Sequence, residues 1–85
     1  SMETRIALIG IIVENKEAAA QINAVLHDFD EYVRGRMGLP CPEQGIRVIS
    51  VVVDAPADKI SALSGKLGML PGVTTKTVYS RAQNA

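Results

Sequence analysis

The chain has 85 residues, 47% of them hydrophobic, with nine Lys plus Arg against nine Asp plus Glu and so a formal net charge of zero. That balance argues against a protein whose main task is gripping a phosphate backbone, because such binding rests on excess cations displacing counterions; the apolar content argues against disorder. The length allows one domain with a thin core, burying only about 60 to 65% of the unfolded surface.

The first strand is expected over Arg5 to Glu14, RIALIGIIVE. Asn15 is a candidate N-cap for a helix from Lys16 to Phe29, where Ala18, Ile22, Val25, Leu26 and Phe29 recur at helical spacing. Glu31 to Leu39 reads as a short strand carrying Arg34 and Arg36 on one face. Its Gly35 and Gly38 mark a bulge or a close backbone approach and hence an edge position. Leu39-Pro40-Cys41-Pro42 ends that strand, since neither proline can donate to a ladder. A third strand, QGIRVISVVVD, covers Gln44 to Asp54. Asp54-Ala55-Pro56-Ala57-Asp58 then opens a second helix, with Ile60, Leu63, Leu67 and Leu70 as its inward stripe. Leu70-Pro71-Gly72-Val73 turns the chain into a last strand through Val78 and Tyr79. Residues 3–81 are expected to form a single domain, with Ser1 and Met2 a tag remnant and 82–85 a frayed end.

The order βαββαβ with right-handed crossovers defines an α+β, ferredoxin-like sandwich. Its four-stranded antiparallel sheet has the order 4-1-3-2 and both helices on one face. Strands one and three are then central, and both are apolar on both sides, so the face away from the helices needs a cover. Parity places Ala7, Ile9, Ile11, Val13, Ile49, Val51 and Val53 on one side together with Arg5 and Arg47. The arginines suggest that this is the open side. Ile9, Ile11, Val13, Ile49, Val51 and Val53 are accordingly the candidate oligomer interface, with Gly10 and Ser50 packed close beneath the helices.

Recognisable chemistry is sparse. The aromatic residues Phe29, Tyr32 and Tyr79 lie off the first and third strands, so the base-stacking platform of an RNA-binding sheet is missing. One cysteine, Cys41, and one histidine, His27, cannot supply an ordinary structural zinc site within one subunit, which leaves only a site shared across an interface. No intramolecular disulfide is possible; with no signal-like segment and no apolar run beyond Ile6 to Val13, a reducing cytosol is the expected location. No carboxylate pair has the convergent setting of acid and base catalysis. Ser64-Gly65-Lys66 lacks the upstream glycine of a phosphate loop. Arg34 and Arg36 are candidates to hold an anionic ligand.

Three stretches, METRIALIGIIVEN, GRMGLP and ISALSGKLGMLPGVTTKTVYS, resemble the family of iron-only hydrogenase system regulators, over almost the whole chain. The resemblance implies a ferredoxin-like fold close to ACT domains and to the C-terminal ligand-binding domain of nickel-responsive repressors. It also implies a regulatory or ligand-sensing role tied to hydrogenase maturation in anaerobic bacteria. Nickel-responsive repressors add a DNA-reading ribbon-helix-helix and a metal set of several histidines and a cysteine. This chain starts at the first strand and has only His27 and Cys41, so neither direct DNA binding nor nickel binding is expected. ACT-like domains place small ligands at subunit interfaces near the loop after the first strand, here Glu14-Asn15-Lys16, which implies Asn15 and Lys16 as ligand contacts. The plainer reading of that loop is an N-cap beside a solvated lysine. The expectation is a non-catalytic cytosolic module, acting as a homodimer or homotetramer without metal or cofactor, that binds a small anionic ligand or a hydrogenase maturation protein. The alternatives are an assembly domain without ligand and a small enzyme with an intersubunit site.

Overall fold

The computed structural model describes residues 3–81; the expected tag remnant at Ser1 and Met2 and the expected frayed end at 82–85 lie outside the described residues. Strand β1 (Arg5–Val13) passes through a single 3-10 turn, Lys16–Ala18, into helix α1 (Ala19–Asp28). A second 3-10 turn, Asp30–Tyr32, leads to β2 (Val33–Cys41), and a third, Pro42–Gln44, to β3 (Ile46–Ala55). Helix α2 (Ala57–Gly68) and strand β4 (Val73–Tyr79) complete the chain. All strand pairs are antiparallel and the sheet order is β2-β3-β1-β4, the expected 4-1-3-2 read from the other edge.

β2 runs two residues further than its prolines suggest. Pro40 is tolerated because β2 is an edge strand bonded only to β3. Pro42 instead opens the 3-10 turn, which Gly45 closes at φ 67°, a left-handed conformation that favours glycine. The expected bulge is present: between Val33 and Gly35 the register with β3 slips by one residue at Arg34.

The faces of the sheet are the reverse of the parity expectation. Ala7, Ile9, Ile11, Val13, Ile49, Val51 and Val53 are all buried, packed in one cluster with Ile22 and Leu26 of α1 and Ile60, Leu63 and Leu67 of α2. The candidate oligomer row is therefore the core. The open side carries Ile6, Leu8, Gly10 and Ile12 of β1 and Val48, Ser50 and Val52 of β3. The arginines misled because both stand at strand ends, where the helix layer stops. Arg5 lies 5.8 Å from the Tyr79 ring, and Arg47 spreads over Gly38 of β2. A charge at a strand end reaches water from either face.

Polar side chains close the α2–β4 seam. The Thr75 hydroxyl donates to the Ser64 carbonyl at 3.3 Å and the Thr77 hydroxyl donates to Ser64 Oγ at 3.2 Å, while Ser64 Oγ and Thr75 Oγ1 stand 3.2 Å apart. Ser64 thus serves packing, in line with discounting it as part of a phosphate loop. Ile11 is fully buried at the centre of the cluster, so Ile11→Ala should lower the unfolding free energy in urea by about 2–5 kcal/mol.

Candidate functional site

Two helices cover this sheet unevenly. α1 and α2 bury β1, β3 and one end of β4, but the helix-side positions of β2 are Arg36, Gly38 and Pro40, none of which can seal a core. A groove remains between α1 and the β2–β3 hairpin. At the hairpin end it is a cavity of about 310 Å³ lined by Val13, Lys16, Ala19, Pro42, Gly45, Ile46 and Arg47. Alongside, a second of about 280 Å³ shares Val13, Ala19 and Arg47 with it and adds Asn23, Arg36 and Ile49. The groove continues toward His27, Asp30 and Val33.

Of the four candidate ligand residues, Lys16 and Arg36 come to this groove and Asn15 and Arg34 do not. Asn15 is spent on structure. Its Oδ1 accepts from the Glu17 amide at 3.1 Å, the N-cap contact, and its Nδ2 donates to the Pro71 carbonyl at 3.3 Å. Beside it the Glu14 amide donates to the Gly72 carbonyl at 2.8 Å, so the β1–α1 turn is clamped to the α2–β4 turn.

The bulge separates Arg34 from Arg36, contrary to the expectation that they share a face. Arg34 Nη2 pairs with Asp54 at 3.2 Å beside the open side of the sheet, whereas Arg36 Nη2 donates to Asn23 Oδ1 of α1 at 3.0 Å. Arg47, which sequence reasoning read only as a marker of the open face, lies between Lys16 and Arg36 along the groove. Its signal was available: an arginine in register with a buried row, one residue from the hairpin turn. Asn23 carried no distinguishing signal.

The electrostatics follow. No Asp or Glu lines either of the two main cavities, although three cationic side chains do. Among the described residues the only ion pair is Arg34–Asp54, and no three His, Cys, Asp or Glu side chains come together as a metal site would need. His27 lies near Val33, at the opposite end of β2 from Cys41, about 26 Å away at strand rise, so the two cannot act as a nucleophile and base. A hydrogen bond from Thr4, then one from Arg34, holds the Asp54 carboxyl below the ordinary 3.8.

A four-stranded sheet of this order, with both helices on one face, is the fold of an ACT-like domain. The fold superposes on the solution NMR structure of the ACT domain from a GTP pyrophosphokinase of Chlorobium tepidum, with a TM-score of 0.70, 25% identity, and coverage of 96% of this chain and 92% of that one. It matches "uncharacterized protein TM1266 from Thermotoga maritima" with a TM-score of 0.88 and 39% identity, over 93% of this chain and all of that one. Residues 5–77 match the family model described as "TM1266-like: Iron-only hydrogenase system regulator, putative", and the chain belongs to this family. A comparison with curated proteins gave no match.

Two measurements test the local structure. Gly72 has φ 73°, and an added Cβ would meet the Asn15 Cβ at 2.6 Å. Gly72→Ala should therefore cost about 1–2 kcal/mol in backbone conformation alone, before the clash. It should lower the melting temperature well beyond Gly35→Ala, where the added methyl meets open space. The Asp54 carboxyl should titrate by NMR with a midpoint under 3.8, and Arg34→Gln should move it up. Because the folded pKa is depressed, the stabilisation from Asp54 is present above the unfolded value and lost as pH falls through the folded one.

Proposed function

We propose that the chain is a non-catalytic, cytoplasmic regulatory module of an iron-only hydrogenase system. It works as a homodimer joined through the open sheet face and responds to a small ligand. The family description and the ACT-like fold support the regulatory role. Among the described residues, no helix is long and apolar enough to cross a membrane.

The observation that carries the dimer is the open face itself. Ile6, Leu8 and Ile12 of β1, Val52 of β3, Met37 and Leu39 of β2 and Val78 of β4 are between 36 and 66% exposed on it. With four strands about 4.8 Å apart and about 26 Å long, the face covers roughly 500 Å² in projection, at the upper end of the apolar patches that monomers leave exposed. Side-chain relief brings its accessible area toward the roughly 800 Å² per partner of a stable dimer.

Charge sits at the rim: Lys76 on the edge strand β4 and the Arg34–Asp54 pair at the far corner. An apolar centre with a polar rim is the anatomy of a protein interface, and a single unpaired cation is too little for a nucleic acid. The face offers both a knob, Leu39, and a hollow bounded by Leu8, Gly35, Arg36, Met37, Ser50 and Val52, as a surface that packs on its own copy requires.

Light scattering at about 10 μM, a concentration that populates complexes worth about 7 kcal/mol or more, should give twice the chain mass of 9.1 kDa. Leu8→Glu should give a folded monomer, because the change is harmless on a solvated face and places an unpaired charge in a packed one. A wild-type monomer would sink the dimer. Dimers unaffected by Leu8→Glu would place the interface elsewhere.

A further inference from the structure

We infer that the groove between α1 and the β2–β3 hairpin binds a small organic carboxylate with an apolar body, its charge met by Arg47 together with Lys16 or Arg36. This rests on the sensing half of the proposed function and not on the dimer. Arg34 finds a carboxylate within the chain, Asp54, whereas Arg47 lines two hollows with no acidic residue; Arg36 lines the second of these and also the far end of the groove, where Asp30 stands. Arg36 is oriented by one hydrogen bond to Asn23, and a guanidinium has five N–H donors to offer.

Arg47 is seated by the backbone of the neighbouring strand. A Cβ at Gly38 would stand 2.8 Å from its Nη2, so the absence of a side chain at Gly38 gives the guanidinium its place over β2. Val13, Ala19, Pro42 and Ile46 make the rest of the hairpin-end wall apolar. A bare inorganic anion would leave that wall in contact with water, while a ligand with an aliphatic or aromatic body would cover it. At about 30 Å³ per non-hydrogen atom, a cavity of about 310 Å³ holds roughly ten such atoms. The site lies beside the Asn15 turn and reaches the first residue of α1, Ala19, but Asn15 does not line it.

The test is an amide-resolved NMR titration of the full chain with hexanoate, with its neutral analogue hexanamide, and with inorganic phosphate. Hexanoate should shift the amides of Ala19, Asn23, Gly45 and Arg47 and bind about tenfold or more tighter than hexanamide, the ratio expected for a charge-assisted contact. Arg47→Gln should abolish that preference. Gly38→Ala, which keeps every charge but displaces the Arg47 head, should weaken hexanoate by several-fold in a folded protein, and Arg34→Gln should leave it unchanged.

Equal binding of hexanoate and hexanamide, shifts clustered away from the groove, or an equal loss in Arg34→Gln would overturn the inference. Phosphate binding as tightly as hexanoate would overturn the apolar-body assignment. Light scattering on the same wild-type sample separates the two proposals: groove binding by a wild-type monomer counts against the dimer alone, and an intact wild-type dimer with a silent groove counts against this site alone.

Discussion

Two short helices can seal only one side of a four-stranded sheet, and nearly every other feature of this molecule follows from which side they seal. The buried row on β1 and β3 is built from bulky branched side chains, Ile9, Ile11, Ile49, Val51 and Val53, that fill the space up to Ile22, Leu26, Ile60, Leu63 and Leu67 on the helices. Dense contact of this kind is where a domain of this size gathers its stability. With the helices committed there, the opposite face keeps its own apolar residues exposed.

The rest of the chain holds that single layer in register. The Asn15 side chain and the Glu14 amide tie the start of α1 to the turn after α2, and the Ser64, Thr75 and Thr77 hydroxyls fix α2 on β4. Both devices satisfy polar groups locally where α2 and the turns meet the sheet. Neither reaches β2, which is bonded to β3 alone. The groove exists because β2 receives least from the helix layer, and its cations face a hollow for the same reason.

The order of elements, the pairing of strands and the edge position of β2 were legible from periodicity, from the glycines at 35 and 38 and from handedness rules, all of which depend on local pattern. The facing of the sheet was not, because two charges at strand ends were weighed above side-chain volume along the strands. Gly10 and Ser50 were the better guides. A row interrupted by a small and a polar residue fills a helix–sheet gap poorly, so it belongs outside. The groove was half legible: Lys16 and Arg36 were candidates on chemistry, but Arg47 joins them only through the hairpin, and Arg34 leaves them only through the bulge.

That bulge acts on β2 as a frameshift acts on a message. Upstream of Arg34 the strand is read in one phase against β3, and downstream in the other, so Arg36, Gly38 and Pro40 fall toward α1 while Met37 and Leu39 fall on the apolar side. One inserted residue therefore decides the chemistry of two surfaces at once. Were Arg34 paired in regular register with Val52 instead of looped out, the two would exchange, carrying Arg36 among aliphatic neighbours and turning methionine and leucine into the hollow. The two surfaces are the obverse and reverse of one strand, and the chain cannot edit either independently of the other.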